Sequence, residues 1–228
     1  MSAQVVAVLP VTDRGDRSEV DVPEALVPVG GVPLLVHAVK GLLASGRVHT
    51  IVVTAPSPDQ NTVTTALASA GAAVHVLTAG PTPGESVRSA LESAPEAGVA
   101  LVHDPTRAFT PPELVGSVVD AALAGGRVVI PVLPVTDTVK RVDREGRVLT
   151  TPDRAELRVV QTPQAFAVDV LRGAPELPDL TTPVDGAALA ERLGEKIVTV
   201  PGHPHAMRVA TSFDLAVAEA LLSGGASS

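Results

Sequence analysis

Short, near-continuous apolar runs recur along this chain. Between them lie stretches in which apolar residues return every third or fourth position. The runs are Val5–Leu9, Thr50–Thr54, Ala73–Leu77, Val99–His103, Arg127–Val132, Arg158–Val160, Lys196–Val200 and Met207–Val209. Runs this short, with little polar alternation, predict β-strands covered on both faces. Helical spacing is found in VPLLVHAVKGLLAS (Val32 to Ser45), DQNTVTTALASA, ESVRSALESA, PPELVGSVVDAALAG and FDLAVAEALLSG. Pro33 and Pro111 stand at helix starts, where a missing N–H is harmless. Gly46 and Gly125 follow helix ends, as C-caps do.

Strands alternating with helices predict an α/β fold: a mostly parallel sheet with helices on both faces. Right-handed crossovers then gather the loops that follow the strands at one edge of the sheet. That edge should collect Pro10–Glu24, the segment around Thr78–Ser86, and HDPTR (His103 to Arg107). One segment breaks the alternation. Residues Thr136 to Arg154, TDTVKRVDREGRVLTTPDR, hold two β-like runs around REG and read as a projecting β-hairpin arm. A plain surface hairpin and a dimerisation arm both remain open from the pattern alone.

The length of 228 residues suits one large domain. No repeat, low-complexity tract or linker divides it, so residues 1–228 are read as one domain. Aromatic residues make up 1%, namely Phe109, Phe166 and Phe213. Base-stacking platforms for single strands need more rings than that. The formal net charge of −8 argues against a duplex partner, which calls for a basic face. There is no cysteine, which excludes disulfides and thiolate metal sites. MSAQVVAVLP lacks the basic start and apolar length of a secretory signal. No run approaches the roughly 20 apolar residues of a membrane span. A soluble, cytoplasmic chain is the expectation.

Candidate chemistry sits in the loops. Pro10 to Glu24 (PVTDRGDRSEVDVPE) carries one glycine, two arginines and five acids directly after a buried strand. In LVHDPTRAFTPPELV, Asp104 follows a strand at once, where a carboxylate can meet hydrated Mg²⁺. Arg107, three positions on, can hold a phosphate by a two-pronged hydrogen bond. An Asp that orders its loop, with Arg107 as partner, explains the same spacing. Arg154, Thr162 and Thr138 would suit a phosphorylated polyol, and equally serve as ordinary surface polar residues. His103 reads as a neutral buried histidine at a strand end. His203 and His205 read as a loop between prolines, and the RGD at Arg14 to Asp16 as chance.

LVHDPTRAFTPP, PVLPVTDTVK, TPDRAELRVVQTPQAF and PEALVPVGGVPLLVHAVKGLLASG together resemble the 2-C-methyl-D-erythritol 4-phosphate cytidylyltransferase (IspD) family. The resemblance runs from Val5 to Leu215. It implies a Rossmann-like nucleotidyltransferase fold, and an arm at 136–154 that helps form a homodimer. It implies an enzyme of the non-mevalonate route to isoprenoid precursors. The phosphate of methylerythritol phosphate would attack the α-phosphorus of CTP, releasing pyrophosphate, with Mg²⁺ as cofactor. By position, Asp104 matches the metal ligand. Arg107, Thr138, Arg154, Thr162 and Arg208 match the acceptor contacts, Arg208 standing where the family has lysine. Gly80 and Ser86 match nucleotide contacts, with Pro10, Val11, Thr12, Arg14 and Gly15 in the phosphate loop. Arg17 matches the loop arginine that meets transition-state charge.

The phosphate loop departs from the family pattern of P-A-A-G-x-G-x-R followed by P-K. Asp13 stands at a glycine, Glu24 at the lysine, and Pro83 at an arginine. Unit charges at 4 Å interact by about 1 kcal/mol in water and roughly 4 at a surface-like dielectric. A Lys-to-Glu exchange therefore reads as a handicap for triphosphate binding, and impaired activity is expected. Arg14, and more weakly Arg88, are candidate compensating cations. The alternative is a degenerate, non-catalytic homologue that binds a phosphorylated small molecule or a protein partner. A third reading transfers a different nucleotide to a different phosphosugar.

Overall fold

The structure is a computed structural model that describes residues 3–12, 23–174, 176–178 and 183–225. Strands β1 (Gln4–Pro10), β4 (Thr50–Ala55), β5 (Val74–Thr78), β6 (Ala97–Val102), β7 (Val128–Pro134), β10 (Arg158–Val160), β11 (Gln164–Ala167) and β12 (Ile197–Pro201) form one eight-stranded sheet. β1 lies between β4 and β6, parallel to both, and β5 extends the sheet beyond β4. At the other end, β7 pairs with β12 in parallel, Ile197 opposite Val128. β10 and β11 pair with β7 antiparallel, and β11 also pairs antiparallel with β6. The sheet is thus parallel except where the segment from β10 to β11 runs back between β6 and β7.

The apolar runs become strands because both faces are covered. In β1, Val5, Ala7 and Leu9 enter one core cluster, and Val6 and Val8 enter another. The first cluster lies under helices α1 (Leu34–Ala44) and α4 (Pro112–Leu123), with Val63 of α2 (Gln60–Ala66). The second lies under α3 (Pro83–Glu92), α5 (Val168–Gly173) and α6 (Pro183–Arg192). Strands of this kind alternate between two apolar layers, so no polar face remains to produce alternation in sequence. Pro33 and Pro111 are the N-caps of α1 and α4. Gly46 and Gly125 take the left-handed conformation after those helices, with φ of 64° and 108°.

Two short strands, β2 (Pro28–Val29) and β3 (Val32–Pro33), form a tight hairpin across Gly30 and Gly31. Both glycines have positive φ, 59° and 73°, which a two-residue turn of this hand requires. The Gly30 N–H donates to Glu219 Oε1 of α7 (Ser212–Gly225) at 2.8 Å, tying the hairpin to that helix. A short 3₁₀ turn, Glu24–Leu26, precedes the hairpin and buries Ala25 and Leu26 in the first core.

The arm forms as expected. β8 (Arg141–Val142) and β9 (Val148–Thr150) make a separate two-stranded ribbon. Its turn is closed by Asp143, whose Oδ1 accepts from the N–H groups of Glu145 and Arg147. Val142, Val148 and Leu149 are all exposed on it.

Three expectations shift. Met207–Val209 is not a strand but an extended connection after a 3₁₀ turn, Pro204–Ala206. Among the described residues it makes one backbone hydrogen bond to a distant segment, Val209 N–H to Thr106 O at 3.0 Å, so no ladder forms. β11 lies inside TPQAF, where the apolar pattern predicts no strand. α5 and α6 follow no long apolar period, the first because it spans only six residues.

Candidate active site

The loops that follow β1, β5 and β6 meet at one sheet edge, as the crossovers require. A cleft of about 420 Å³ opens there between the end of β1 and the start of α3. Pro10, Val11 and Thr12 form one wall, and Gly80, Thr82 and Ser86 the other. Pro56 and Ser57, after β4, line it too; the sequence does not single them out, since neither belongs to a charged or glycine-rich motif. Every described residue lining the cleft is uncharged. Asp13, Arg14, Gly15 and Arg17 lie outside the described residues.

The second wall is built by a capping box. Thr82 Oγ1 accepts from the Glu85 N–H at 3.2 Å, and Glu85 Oε2 accepts from the Thr82 N–H at 3.0 Å. This fixes the start of α3, with Pro83 in its first turn. Ser86 Oγ accepts from the Gly80 N–H at 2.9 Å and donates to Thr82 O at 3.1 Å. A Cβ on Gly80 would lie 2.9 Å from the Glu85 Cβ, so the loop passes too close to α3 for a larger residue. Arg88 is turned elsewhere, donating to Ala174 O at 3.1 Å.

A charged cluster adjoins the end of β6. Asp104 Oδ1 accepts from the Thr106 N–H at 2.9 Å and the Thr106 hydroxyl at 2.6 Å. Asp104 Oδ2 accepts no hydrogen bond among the described residues. It is faced by two guanidiniums, Arg208 Nε at 3.7 Å and Arg107 Nε at 4.0 Å. Asp104 thus orders its loop through Oδ1 and is ion-paired through Oδ2, as the loop-ordering reading of its spacing expects. Arg107 is buried, donates from Nη1 to Ala206 O at 2.7 Å, and among the described residues has no hydrogen-bond acceptor for its Nε. Burial pulls the Arg107 pKa down from its ordinary value, and Asp104 opposes this while Arg208 adds to it. An arginine stays cationic even so.

Glu24 completes the cluster. Its Oε2 accepts from Arg208 Nη2 at 3.0 Å. The acid that the resemblance sets at a lysine position is thus paired with Arg208. Sequence reading missed this pair because the residues are 184 positions apart.

Beneath the cluster, Thr162 is fully buried. Its hydroxyl accepts from the Asp104 N–H at 3.0 Å and lies 3.0 Å from His103 Nδ1. Burial, followed by the nearby Arg107 charge, lowers the His103 pKa to about 3. His103 is therefore neutral, and a hydrogen bond joins its Nδ1 to the Thr162 hydroxyl. Thr162 thus supports Asp104 from behind, with its hydroxyl committed inside the protein. Thr138 and Arg154 do not join the cluster. Both are exposed near the base of the arm, and Arg154 donates to Thr136 O at 2.6 Å. His203 and His205 pack edge to face at the 3₁₀ turn, and no group of three metal-binding side chains exists among the described residues.

Residues 5–224 match the family of 2-C-methyl-D-erythritol 4-phosphate cytidylyltransferase (IspD). The chain belongs to the IspD family. A relative from Saccharopolyspora erythraea bearing that enzyme's name is 53% identical over 223 residues, covering 96% of this chain and 99% of the relative. One from Nocardia farcinica, of the same name, is 48% identical and covers 96% and 94%. Among solved structures, the 2-C-methyl-D-erythritol 4-phosphate cytidylyltransferase of Thermus thermophilus aligns with a TM-score of 0.71 at 28% identity, covering 98% of this chain and 100% of its own. The 4-diphosphocytidyl-2C-methyl-D-erythritol synthase of Anaerococcus prevotii aligns at 0.81 and 22% identity, covering 98% and 100%, which supports the fold. The Rossmann-like nucleotidyltransferase architecture expected from the sequence is the one observed.

Proposed function

We infer that this protein is a nucleotidyltransferase that moves a cytidylyl group from CTP to 2-C-methyl-D-erythritol 4-phosphate, releasing pyrophosphate. The reaction serves isoprenoid precursor synthesis by the non-mevalonate route. The observation that carries this is the family match from residue 5 to 224, together with relatives of that name along almost the whole chain. A phosphate oxygen of the acceptor bonds to the α-phosphorus of CTP as the bond to the β-phosphate oxygen breaks. Little covalent chemistry is left to the protein, so positioning and charge stabilisation dominate.

The cleft beside Gly80 and Ser86 is our proposed CTP site, with Pro10, Val11 and Thr12 on its wall, and Arg14 and Gly15 are assigned to the nucleotide by resemblance. Arg17 is assigned to the charge that develops on the phosphates. Arg107 and Arg208 are assigned to the acceptor phosphate, which would satisfy the unpaired Arg107 Nε. Thr138 and Arg154 are assigned to the acceptor, and Thr162 to holding Asp104 in place. Asp104 fits a hydrated Mg²⁺, which commonly takes one or two carboxylates and draws its other ligands from water and phosphate. Its Oδ2, which accepts no hydrogen bond among the described residues but faces Arg107 and Arg208, is the oxygen that would hold the ion. When bound, Mg²⁺ neutralises phosphate charge as that charge shifts to the leaving group. We propose a homodimer through the 136–154 arm, for which the exposed Val142, Val148 and Leu149 speak. We place the enzyme in the cytoplasm, where nucleoside triphosphates are made. Neither a nucleic acid nor a membrane has a part in this scheme. Among the described residues no helix is long and apolar enough to cross a bilayer.

The degenerate-homologue alternative finds no support in the comparisons. Glu24, one of its three motives, is an ion-paired acid, and its charge is offset by Arg208. Calorimetric titration of CTP with Mg²⁺ tests the nucleotide side. Micromolar binding is expected, and no binding at millimolar CTP by folded protein would remove this assignment.

A further inference from the structure

Arg208 enters the site as a half-open side chain, 54% exposed, so its long stem does not fix its guanidinium. Asp104 does not fix it either, because 3.7 Å exceeds hydrogen-bond length. Among the described residues, the one hydrogen bond on this guanidinium runs to Glu24. Glu24 is well anchored. Its side chain is 21% exposed, the next two residues are buried in the core, and its carbonyl accepts from the Val27 N–H. An arginine carries five donors in a planar fork and can serve two anions at once; a lysine at 208 would present a point charge.

We propose that Glu24 is a positioning residue that holds the Arg208 guanidinium beside Asp104, leaving its remaining donors for the acceptor phosphate. Glu24 thereby takes part in acceptor recognition, not nucleotide recognition. The naming of the acceptor rests on the function proposed above; the hold on Arg208 does not.

Removing Glu24 has two opposed effects. Loss of its charge removes a repulsion on an incoming phosphate, and loss of its hold lets Arg208 wander. Glu24→Gln and Glu24→Ala separate them. Both remove the charge, and only Gln keeps an oxygen that can accept from Arg208 Nη2. The experiment is calorimetric titration of 2-C-methyl-D-erythritol 4-phosphate, and separately of CTP with Mg²⁺. It uses the wild type and both variants, each with and without Arg208→Ala, and turnover is measured alongside. Glu24→Ala should bind the acceptor about three- to tenfold more weakly than Glu24→Gln, the worth of one net hydrogen bond. The difference should vanish once Arg208 is alanine and be absent for CTP. Equal acceptor binding by the two variants would overturn the proposal. So would a difference that persists without Arg208, or one that falls equally on CTP. If the wild type turns over and the variants are equal, the hold is wrong and the reaction stands. If the difference is present and the wild type makes no product, the hold stands and the reaction is wrong. A wild type that binds no acceptor sinks both.

Discussion

Among the described residues, the hydrogen bonds to the Asp104 carboxylate come from one neighbour. Thr106 supplies both hydrogen bonds to Oδ1, in a buried setting. Thr106→Val keeps the shape and removes the hydroxyl, so a hydrogen bond to a charged group is lost. Such bonds contribute about 1.5–3 kcal/mol. Urea unfolding should show a loss of that order, and activity should fall with it. Unchanged stability would mean that the Thr106 N–H alone secures Asp104. His103 gives a second residue-scale prediction. Its pKa is depressed to about 3 in the folded protein, below an unfolded value near 6.5. Between these values the unfolded chain binds a proton that the folded chain refuses. The contribution is therefore intact above pH 6.5 and is lost as pH falls toward 3, at up to about 1.4 kcal/mol per pH unit. His103→Asn should flatten the pH dependence of unfolding between pH 6.5 and 4 relative to wild type. Equal slopes would show that His103 is not buried neutral. At this scale the sequence made Asp104 and Arg107 legible, because three positions place them on one turn. It hid the Glu24–Arg208 pair, since long-range ion pairs leave no local spacing. It also hid the inward use of the Thr162 hydroxyl, which depends on tertiary packing.

Among the elements, the start of α3 matters most, because it carries the proposed nucleotide wall. The Thr82 cap satisfies the Glu85 N–H and orients the turn that brings Ser86 to Gly80. Thr82→Ala should cost about 1 kcal/mol in thermal or urea unfolding, the usual worth of an N-cap. It should also raise the apparent KM for CTP more than that for the acceptor. An equal rise in both would argue that α3 does not face the nucleotide. Most strands and helices were legible because buried strands appear as unbroken apolar runs and amphipathic helices as a period near 3.6. Residues 207–209 look like such a run, yet Val209 packs with Val29, Leu34, Ala108 and Ala218, and the segment joins no strand ladder. β11 is hidden in the sequence because it starts at a buried polar residue, Gln164, directly after Pro163.

For the whole molecule, net charge and local charge oppose one another. The chain carries −8 overall, but guanidiniums gather beside Asp104. Long-range attraction for a multiply charged nucleotide is therefore poor, and binding depends on contacts inside the site. Rising salt should screen the global repulsion, with a Debye length near 8 Å at physiological strength, and should weaken the local contacts less. The exposed arm makes a further whole-molecule prediction. Sedimentation velocity should find a dimer in the wild type and a monomer when Val148 and Leu149 are both changed to glutamate. A monomeric wild type would remove the arm from any role in assembly. The measurement that bears most directly on the account is turnover by purified, folded protein with CTP, Mg²⁺ and 2-C-methyl-D-erythritol 4-phosphate, followed through pyrophosphate release and the cytidylylated product. The account predicts both products in equal amounts, their loss on chelation by EDTA, and their return with added Mg²⁺. Neither product from demonstrably folded protein would contradict it.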